Sequence, residues 1–282
     1  MARVAIVTDS TADLPPEIAR RAGITVVPLN VHFGDEVFRD GVDLTTGDFL
    51  RRLGSSDRLP TTSQPSAGLF TETYRRLATD HDAIVSVHIS GKLSGTVGAA
   101  TIARDDVASE VAVEVVDSAT ASMALGLLAL RGAALAEEGL DGSAIAARLR
   151  AEAPGHHMVF FVDTLEYLRR GGRIGAARAL LGSILDLKPI LRVEDGVIVP
   201  LERTRTRVRA RRSLVGFVRG LPTVARLAVL HNSTPDEARE LADEFRLIVP
   251  RDEVLIAEMG PVIDTHVGPG AMGVAVAERM EP

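Results

Sequence analysis

The sequence predicts an α/β protein of two domains, a mainly parallel sheet with helices on both faces followed by a mixed α/β sheet domain. At 282 residues, the chain is longer than one hydrophobic core usually fills. Apolar residues make up 46% of it, which is enough for a sizeable core. In the first half, short apolar runs alternate with helical segments, and this pattern is typical of parallel strands joined by crossover helices.

The elements of the first half follow from apolar runs and helix signals. Residues 4–8 read as a buried strand, and Asp13 is a candidate N-cap for a helix that has prolines in its first turn and ends at Gly23. A second strand is predicted over residues 24–31. Further along come strands over residues 82–89 and 111–116 and an Ala/Leu-rich helix over residues 119–136. That helix is too short and too Ala-rich to span a bilayer.

A break near residues 153–155 divides the chain into predicted domains 1–154 and 155–282. Asp195-Gly196 lies between two apolar runs and indicates a β-hairpin. The other predicted elements are strands over 158–162, 225–231 and 253–258, and helices over 164–170, 176–185, 235–245 and from about Thr206. The second domain therefore reads as a mixed sheet with helices.

Composition excludes several classes of function. The net charge of −6 and the 4% of aromatic residues argue against a general nucleic-acid-binding surface. The absence of cysteine excludes disulfides, thiolate metal ligands and cysteine nucleophiles, and the seven histidines lack the paired spacing of a metal site. The first residues enter a strand without a signal-peptide layout, so we expect a cytoplasmic protein.

Two runs of hydroxyl-bearing and small residues carry the strongest functional signal. They are Pro-Thr-Thr-Ser-Gln-Pro-Ser at 60–66 and Ser-Gly-Lys-Leu-Ser-Gly-Thr at 90–96. Neither contains an acid, a cysteine or a histidine that could activate a hydroxyl. Hydroxyls donate hydrogen bonds to anionic oxygens, and glycine lets the backbone come close. Because ligands bind beyond the carboxyl ends of parallel strands, Ser10, residues 90–96 and Asp117 are expected at one ligand-binding edge.

Two glycine-bearing segments in the second half each have a structural and a functional interpretation. Residues 268–273 match G-x-G-x-x-G, but a dinucleotide site would follow the first strand and have an acidic residue about 20 positions later. A tight turn that brings the backbone close to a ligand or to the other domain fits better, and His266 precedes it. Arg169 and Arg170 are placed to stabilise the C-terminus of a helix with their positive charge. Arg173 lies beyond two glycines, where its guanidinium could bind a carboxylate or a phosphate.

A run of arginines in the second half admits three interpretations. They are a solvated helix face, a nucleic-acid patch, and a surface for an acidic or phosphate-bearing partner. Six guanidinium groups within ten residues cannot all be buried without partners, so we expect them to face outward. The run comprises Arg203, Arg205, Arg207, Arg209, Arg211 and Arg212.

Five stretches together resemble the DegV family, the fatty-acid-binding proteins that include the binding subunit of bacterial fatty acid kinase. They are residues 7–14, 61–66, 93–96, 168–174 and 260–273, and they occur in order over essentially the whole chain. The resemblance implies two α/β domains with a lipid in a tunnel between them. It also implies that this chain is a carrier rather than an enzyme, since a separate kinase supplies the ATP chemistry.

The resemblance also assigns residues to the ligand. It implies that Thr62 and Ser94 hold the carboxylate, with His266 and Arg173 beside them. We include the neighbouring Ser10, Ser63, Gly95 and Thr96 in the expected ligand site. Many members have a second Ser or Thr where this chain has Gly91, followed here by Lys92, so the details of the head-group network are expected to differ.

The resemblance, together with a contribution of ~0.8 kcal/mol for each buried methylene, implies a fatty acid of about 14–20 carbons as the ligand. No cofactor and no metal are expected. Arg203 and Arg205 are implied to dock the kinase, and a transient membrane contact would allow lipid exchange.

Two other classes of function stay open at this point. One is a small-molecule hydrolase or kinase that acts on its own through Asp9, Asp117 and Ser94; a nucleotide requirement of the purified protein alone would favour it. The other is a nucleic-acid-binding regulator that uses the run from Arg203 to Arg212, which steeply salt-dependent DNA binding would favour.

Overall fold

A computed structural model describes residues 3–56, 58–181, 187–250 and 253–279. Its strands are β1 (Val4–Asp9), β2 (Ile24–Val27), β3 (Asn30–Phe33), β4 (Glu36–Arg39), β5 (Thr61–Ser63), β6 (Ala83–His88), β7 (Ala112–Asp117), β8 (His156–Phe161), β9 (Lys188–Glu194), β10 (Val197–Thr204), β11 (Arg226–His231), β12 (Val254–Glu258) and β13 (Met272–Ala277). Its helices are α1 (Pro16–Arg21), α2 (Thr46–Ser55), α3 (Ala67–Ala78), α4 (Thr96–Asp106), α5 (Met123–Glu137), α6 (Gly142–Glu152), α7 (Glu166–Arg170), α8 (Arg207–Gly220), α9 (Pro235–Phe245) and α10 (Pro261–Val267).

The first half is built on a parallel sheet with strand order β2-β1-β6-β7. Successive side chains of a strand point to opposite faces, so β1 contributes side chains to two hydrophobic cores. Ala5 and Val7 pack with α3 and α4, whereas Ile6 packs with α5 and α6. The predicted parallel sheet with helices on both faces is therefore confirmed.

The second half is built on a mixed sheet with strand order β10-β9-β8-β13-β11-β12. β11 and β12 are parallel, and the other neighbours are antiparallel. One face carries Phe161 and Val229, which pack against α8 and α9. The other face carries Met158 and Phe160, which pack toward the first half. The predicted mixed sheet and the hairpin between β9 and β10 are confirmed.

Helix α5 lies between the two sheets and contacts β1, β6, β8 and β13. Eleven of its residues are buried, so apolar residues cover most of its circumference rather than one stripe. Its burial joins Ile6, Leu128 and Phe160 into one continuous core. The predicted division at residues 154 and 155 thus falls between two sheets that share a core, and it stays a prediction. None of the helices in the described ranges is long and apolar enough to cross a membrane.

The predicted strand over residues 24–31 is wrong, because the chain changes sheets within it. β2 belongs to the parallel sheet, and β3 belongs to a small antiparallel sheet of order β4-β3-β5. Pro28 lies between them and has no N–H for a strand ladder. The first hydroxyl run contains strand β5, in which Thr62 pairs with Val31.

The expected helix cap at Asp13 is also wrong. Helix α1 begins at Pro16 after Pro15, and no side chain caps it. Asp13 is buried, and its carboxylate instead accepts hydrogen bonds from Ser122 Oγ at 2.5 Å and from the Gly260 amide at 2.9 Å. Asp13 therefore joins segments far apart in the sequence, which local patterns do not reveal.

Two more predicted elements differ in the structure. The helix predicted over residues 176–185 is a 3₁₀ helix over Gly175–Leu180, and residues 182–185 lie outside the described ranges. The segment over residues 268–273 turns as expected, but its end begins β13, an inner strand of the mixed sheet. The small residues of β13 concealed that strand in the sequence.

Candidate functional site

A cavity lies between the two sheets, and both halves of the chain line it. Its walls are mainly apolar, with contributions from Leu29, Ile89, Phe160, Val193, Ile198 and Val262. Its polar lining consists of Thr11, Thr62, Ser94, Ser122, Arg173 and His266. Four of the sequence-predicted ligand residues therefore lie on one cavity.

Strand β5 and helix α10 meet at the cavity through one hydrogen bond. Thr62 Oγ1 lies 2.9 Å from His266 Nε2. The next residue, Ser63, points away because side chains alternate along a strand. Its hydroxyl lies 2.9 Å from His32 Nε2 and accepts a hydrogen bond from Asn30 Nδ2 at 3.3 Å. The structure places Ser63 outside the cavity, although the sequence grouped it with Thr62.

His266 is neutral at physiological pH. Burial, with a smaller contribution from the positive charge of Arg173, lowers the pKa of His266 to about 4. Its Nδ1 atom is buried and has no hydrogen-bond partner among the described residues. The ring packs directly on the backbone at Gly171, where a Cβ atom would collide with it. The glycines after α7 thus allow the imidazole to reach Thr62.

Arg173 links the end of α7 to the second hydroxyl run by hydrogen bonds. Its Nε donates to the Leu93 carbonyl at 3.0 Å, and its Nη1 donates to the Gly171 carbonyl at 2.7 Å. The guanidinium is partly buried at the cavity wall and supplies the positive charge near His266. An anion in the cavity would meet a cation and a neutral imidazole side by side.

The two hydroxyl runs pack against each other beside the cavity. Ser94 Oγ lies 2.9 Å from Thr96 Oγ1, and Thr96 is buried at the start of α4. The Gln64 amide lies so close to Gly95 that a Cβ atom there would collide with it. Thr96 and Gly95 therefore position Ser94 and Thr62 relative to each other. Ser10 lies elsewhere, and its hydroxyl accepts a hydrogen bond from the Leu29 amide at 3.0 Å.

The unusual Gly91-Lys92 pair serves to join the two halves. Lys92 Nζ donates to the Asp195 carbonyl at 2.8 Å, and Ser90 Oγ donates to the Gly196 carbonyl at 2.8 Å. The Gly91 amide donates to Asp117 Oδ2 at 3.1 Å. Lys92 thus reaches the turn of the β9–β10 hairpin and does not line the cavity.

Two cavity residues, Thr11 and Ser122, escaped sequence reasoning. Thr11 follows β1, and Ser122 follows β7, so the rule for carboxyl ends of strands could have identified both. Ser122 has a φ of 56°, which is rare for a residue with a side chain. Its hydroxyl is held by Asp13, and this contact offsets part of the backbone strain.

A buried chain of hydrogen bonds resembles a hydrolase triad but cannot act as one. His88 Nδ1 lies 2.9 Å from Asp9 Oδ2, and His88 Nε2 lies 2.7 Å from Ser86 Oγ. Tyr74 donates to the same Ser86 hydroxyl at 2.8 Å. All four residues have no exposed surface, so a substrate cannot reach Ser86.

Asp9, Asp117 and Ser94, the candidate residues of an enzyme acting on its own, each have other hydrogen-bond partners. Asp117 accepts hydrogen bonds from the Gly91 and Ala119 amides, and Ser94 is paired with Thr96. Asp9 is engaged with His88 and Thr11. The described residues contain no group of three or more acids or histidines that could hold a metal ion.

The arginine run divides into two kinds of residue. Arg207 pairs with Glu237 at 2.8 Å, and Arg211 pairs with Glu240 at 2.9 Å, so the expectation that all six face outward is wrong for these two. The other four are exposed and line a surface groove, and no carboxylate of the described ranges forms an ion pair with them. They are Arg203, Arg205, Arg209 and Arg212.

Comparisons with known proteins agree over the full length of the chain. A family model described as "Uncharacterised protein, DegV family" matches residues 3–279. A DegV domain-containing protein of Streptomyces coelicolor is 46% identical, with 98% of this chain and 99% of the relative covered. A structure described as fatty acid binding of a DegV family protein from Thermus thermophilus has a TM-score of 0.92 at 37% identity, covering 98% of this chain and 100% of the other. A fatty acid binding protein from Bacillus subtilis has a TM-score of 0.88 at 34% identity, covering 99% and 100%.

We expect His266 to titrate near pH 4 in the folded protein, because its burial disfavours the charged form. The unfolded chain takes up this proton near pH 6.5, so folding stability falls as the pH drops from about 6.5 to 4. Proton NMR titration, with the His266 signal assigned by its absence in His266→Gln, measures the pKa. A midpoint near 6.5 would contradict the buried, neutral imidazole.

Proposed function

The chain belongs to the DegV family, and we propose that it binds a long-chain fatty acid whose carboxylate contacts Thr62, Ser94 and His266. The observation that carries this proposal is an apolar cavity between the sheets with a hydroxyl pair, an imidazole and a guanidinium on its wall. Relatives that match nearly the whole chain are described as fatty acid binding proteins, which supports the same ligand class.

The physical roles of tail and head group differ. Burying about fifteen methylenes at ~0.8 kcal/mol each gives a gross contribution of roughly 12 kcal/mol. A charge-assisted hydrogen bond contributes about 1.5–3 kcal/mol. The tail therefore dominates the affinity, and the polar residues fix which end of the acid points where. Arg173, close to His266, adds a positive charge that favours the carboxylate over a neutral head group.

The chemistry is proposed to take place on a partner. The imidazole beside Thr62 is only a weak base, because burial lowers the pKa of His266 to about 4, and Ser94 pairs with another hydroxyl rather than with a base. In this proposal the chain presents the carboxylate to a separate ATP-dependent fatty acid kinase, which forms the acyl phosphate. The four exposed arginines, Arg203 and Arg205 among them, suit an acidic or phosphate-bearing surface of that kinase. Exchange of the acid involves a transient contact with a membrane.

Protein purified from a bacterial host should carry a fatty acid of about 14–20 carbons, because a shorter tail buries too little apolar surface. Denaturing extraction followed by mass spectrometry identifies the lipid, and delipidated protein should bind the same acid again. The corresponding fatty alcohol is the matched control for the carboxylate and should bind more weakly. Failure to extract or rebind any fatty acid would overturn the proposed ligand.

Thr62→Ala and Ser94→Ala should each weaken fatty-acid binding by about 1–2 kcal/mol, because each removes one hydrogen bond to a charged group. Phosphorylation by the kinase should suffer more than binding, because the carboxylate loses its orientation. Calorimetry on delipidated protein measures the first effect, and a coupled acyl-phosphate assay measures the second.

Ser63→Ala is the matched control for these two variants. It removes a hydroxyl from the same strand, but on the face that points to His32. We expect its fatty-acid affinity to equal that of the unaltered protein. Equal losses in Ser63→Ala and Thr62→Ala would show that the strand, rather than the Thr62 hydroxyl, matters for binding.

Reversing both Arg203 and Arg205 to Glu should slow acyl-phosphate formation and leave fatty-acid affinity unchanged, because both side chains lie outside the cavity. The defect should be largest at low salt, since ions screen exposed charges. Arg76→Glu with Arg219→Glu, two exposed arginines elsewhere, controls for the change in net charge. Loss of DNA retention with normal kinase coupling would instead support the nucleic-acid interpretation.

A further inference from the structure

A second cavity lies near the start of α10 and the end of β12. It is partly open to solvent and shares no lining residue with the cavity described above. Segments from α1, β2, the loop after β4, and the end of β12 surround it. Neither the motifs of the sequence nor the proposed fatty-acid site accounts for it.

The second cavity is lined by carboxyl groups without a compensating cation. Asp13, Asp40 and Glu258 line it, and no Lys, Arg or His is among its lining residues. None of the three carboxylates forms an ion pair within the described part of the chain. Asp13 is 7% exposed and Asp40 is 4% exposed, so little water reaches them. A buried charge without a partner is strongly unfavourable.

Asp40 has an oxygen that is still free to accept a hydrogen bond. The Ser10 hydroxyl and the Val262 amide donate to its carboxyl group. The Oδ2 atom nevertheless has no partner among the described residues. Buried polar atoms are nearly always hydrogen-bonded, so an unpartnered acceptor at a cavity wall indicates a donor supplied from outside.

The rest of the lining is apolar and partly open to solvent. Leu14, Pro15, Pro28 and Ile256 form much of the wall, and Val26 and Val42 are 38% and 59% exposed at its rim. Such a surface gains from contact with an apolar body. It lacks the ring of oxygen ligands that a hydrated divalent cation needs.

We propose that this cavity binds a small organic cation, a primary ammonium group on an apolar body, whose N–H groups donate to Asp40 while the body packs against Val26 and Val42. Asp40, once ionised, and the exposed Glu258 supply the negative potential that attracts the ammonium group. Burial raises the pKa of Asp13 well above its usual range, so Asp13 favours its neutral form. The apolar rim favours binding of a ligand with an apolar body over binding of a simple inorganic cation. The site is separate from the fatty-acid cavity, so the proposal stands independently of the fatty-acid function.

Binding of the cation depends on pH because Asp40 must be ionised to accept it. Burial raises the pKa of Asp40 to about 7, and the neighbouring charge of Asp9 adds to the effect. The other titratable groups around it are Asp13, Asp264 and Glu258, all of them acids. Below pH 7 the proton on Asp40 competes with the ammonium group, so the affinity rises between pH 5.5 and pH 8.

Calorimetric titration of the whole chain with cyclohexylammonium chloride tests the proposal, with cyclohexanol as the neutral control of similar shape. We expect saturable binding of the ammonium compound at pH 8, at least tenfold weaker binding at pH 5.5, and no saturable binding of cyclohexanol. Equal binding of the two compounds, or no saturable binding of the ammonium compound at pH 8, would overturn the proposal.

Two pairs of variants locate the site. Asp40→Asn should weaken binding about tenfold or more, whereas Asp35→Asn, at an exposed acid in the turn between β3 and β4, should not change it. Val26→Trp should block the rim, whereas Val37→Trp, an exposed valine outside the cavity, should not. The Val26 pair keeps the test decisive even where Asp40→Asn folds poorly. Unchanged binding in Val26→Trp would exclude this cavity as the site.

Discussion

The structure depends on one helix that is buried around most of its circumference. Helix α5 buries eleven residues and therefore needs apolar neighbours on more than one side. The parallel sheet covers one side, and the mixed sheet covers the other. Because both sheets pack on the same helix, their relative position is determined by apolar contact rather than by a flexible linker. The same contacts therefore determine the distance between the walls of the cavity.

The polar residues of the cavity are assembled from segments that are distant in sequence. Thr62 comes from the small sheet, Ser94 from the loop after β6, Arg173 from the end of α7, and His266 from α10. Short contacts hold these segments together, such as those from Arg173 to the Leu93 carbonyl and from Thr62 to His266. The polar groups are thus oriented before a ligand arrives, which lowers the entropy that binding must overcome.

The sequence predicted the regular elements better than the contacts between them. The strands at residues 4–8 and 82–89 are confirmed, because a strand buried on both faces needs a continuous apolar run. The strand at residues 111–116 is confirmed as well, at the edge of the same sheet. The sequence did not predict β13. Its Gly273 packs so closely on Met158 and Phe160 that a Cβ atom would collide with them, and both residues are remote in sequence. The hydroxyl runs identified Thr62 and Ser94, but only the fold shows that Ser63 faces away and that Thr11 and Ser122 line the cavity.

The position of β13 in the chain has a consequence for synthesis on the ribosome. β13 lies between β8 and β11, yet it follows both in the sequence and comes after every other described strand. Until it emerges, β8 and β11 each have an open edge, and an open edge can pair with another chain. The first sheet, by contrast, is complete once β7 has been made. The second half therefore folds late, and nascent chains that stall before residue 272 expose the surfaces most prone to aggregation.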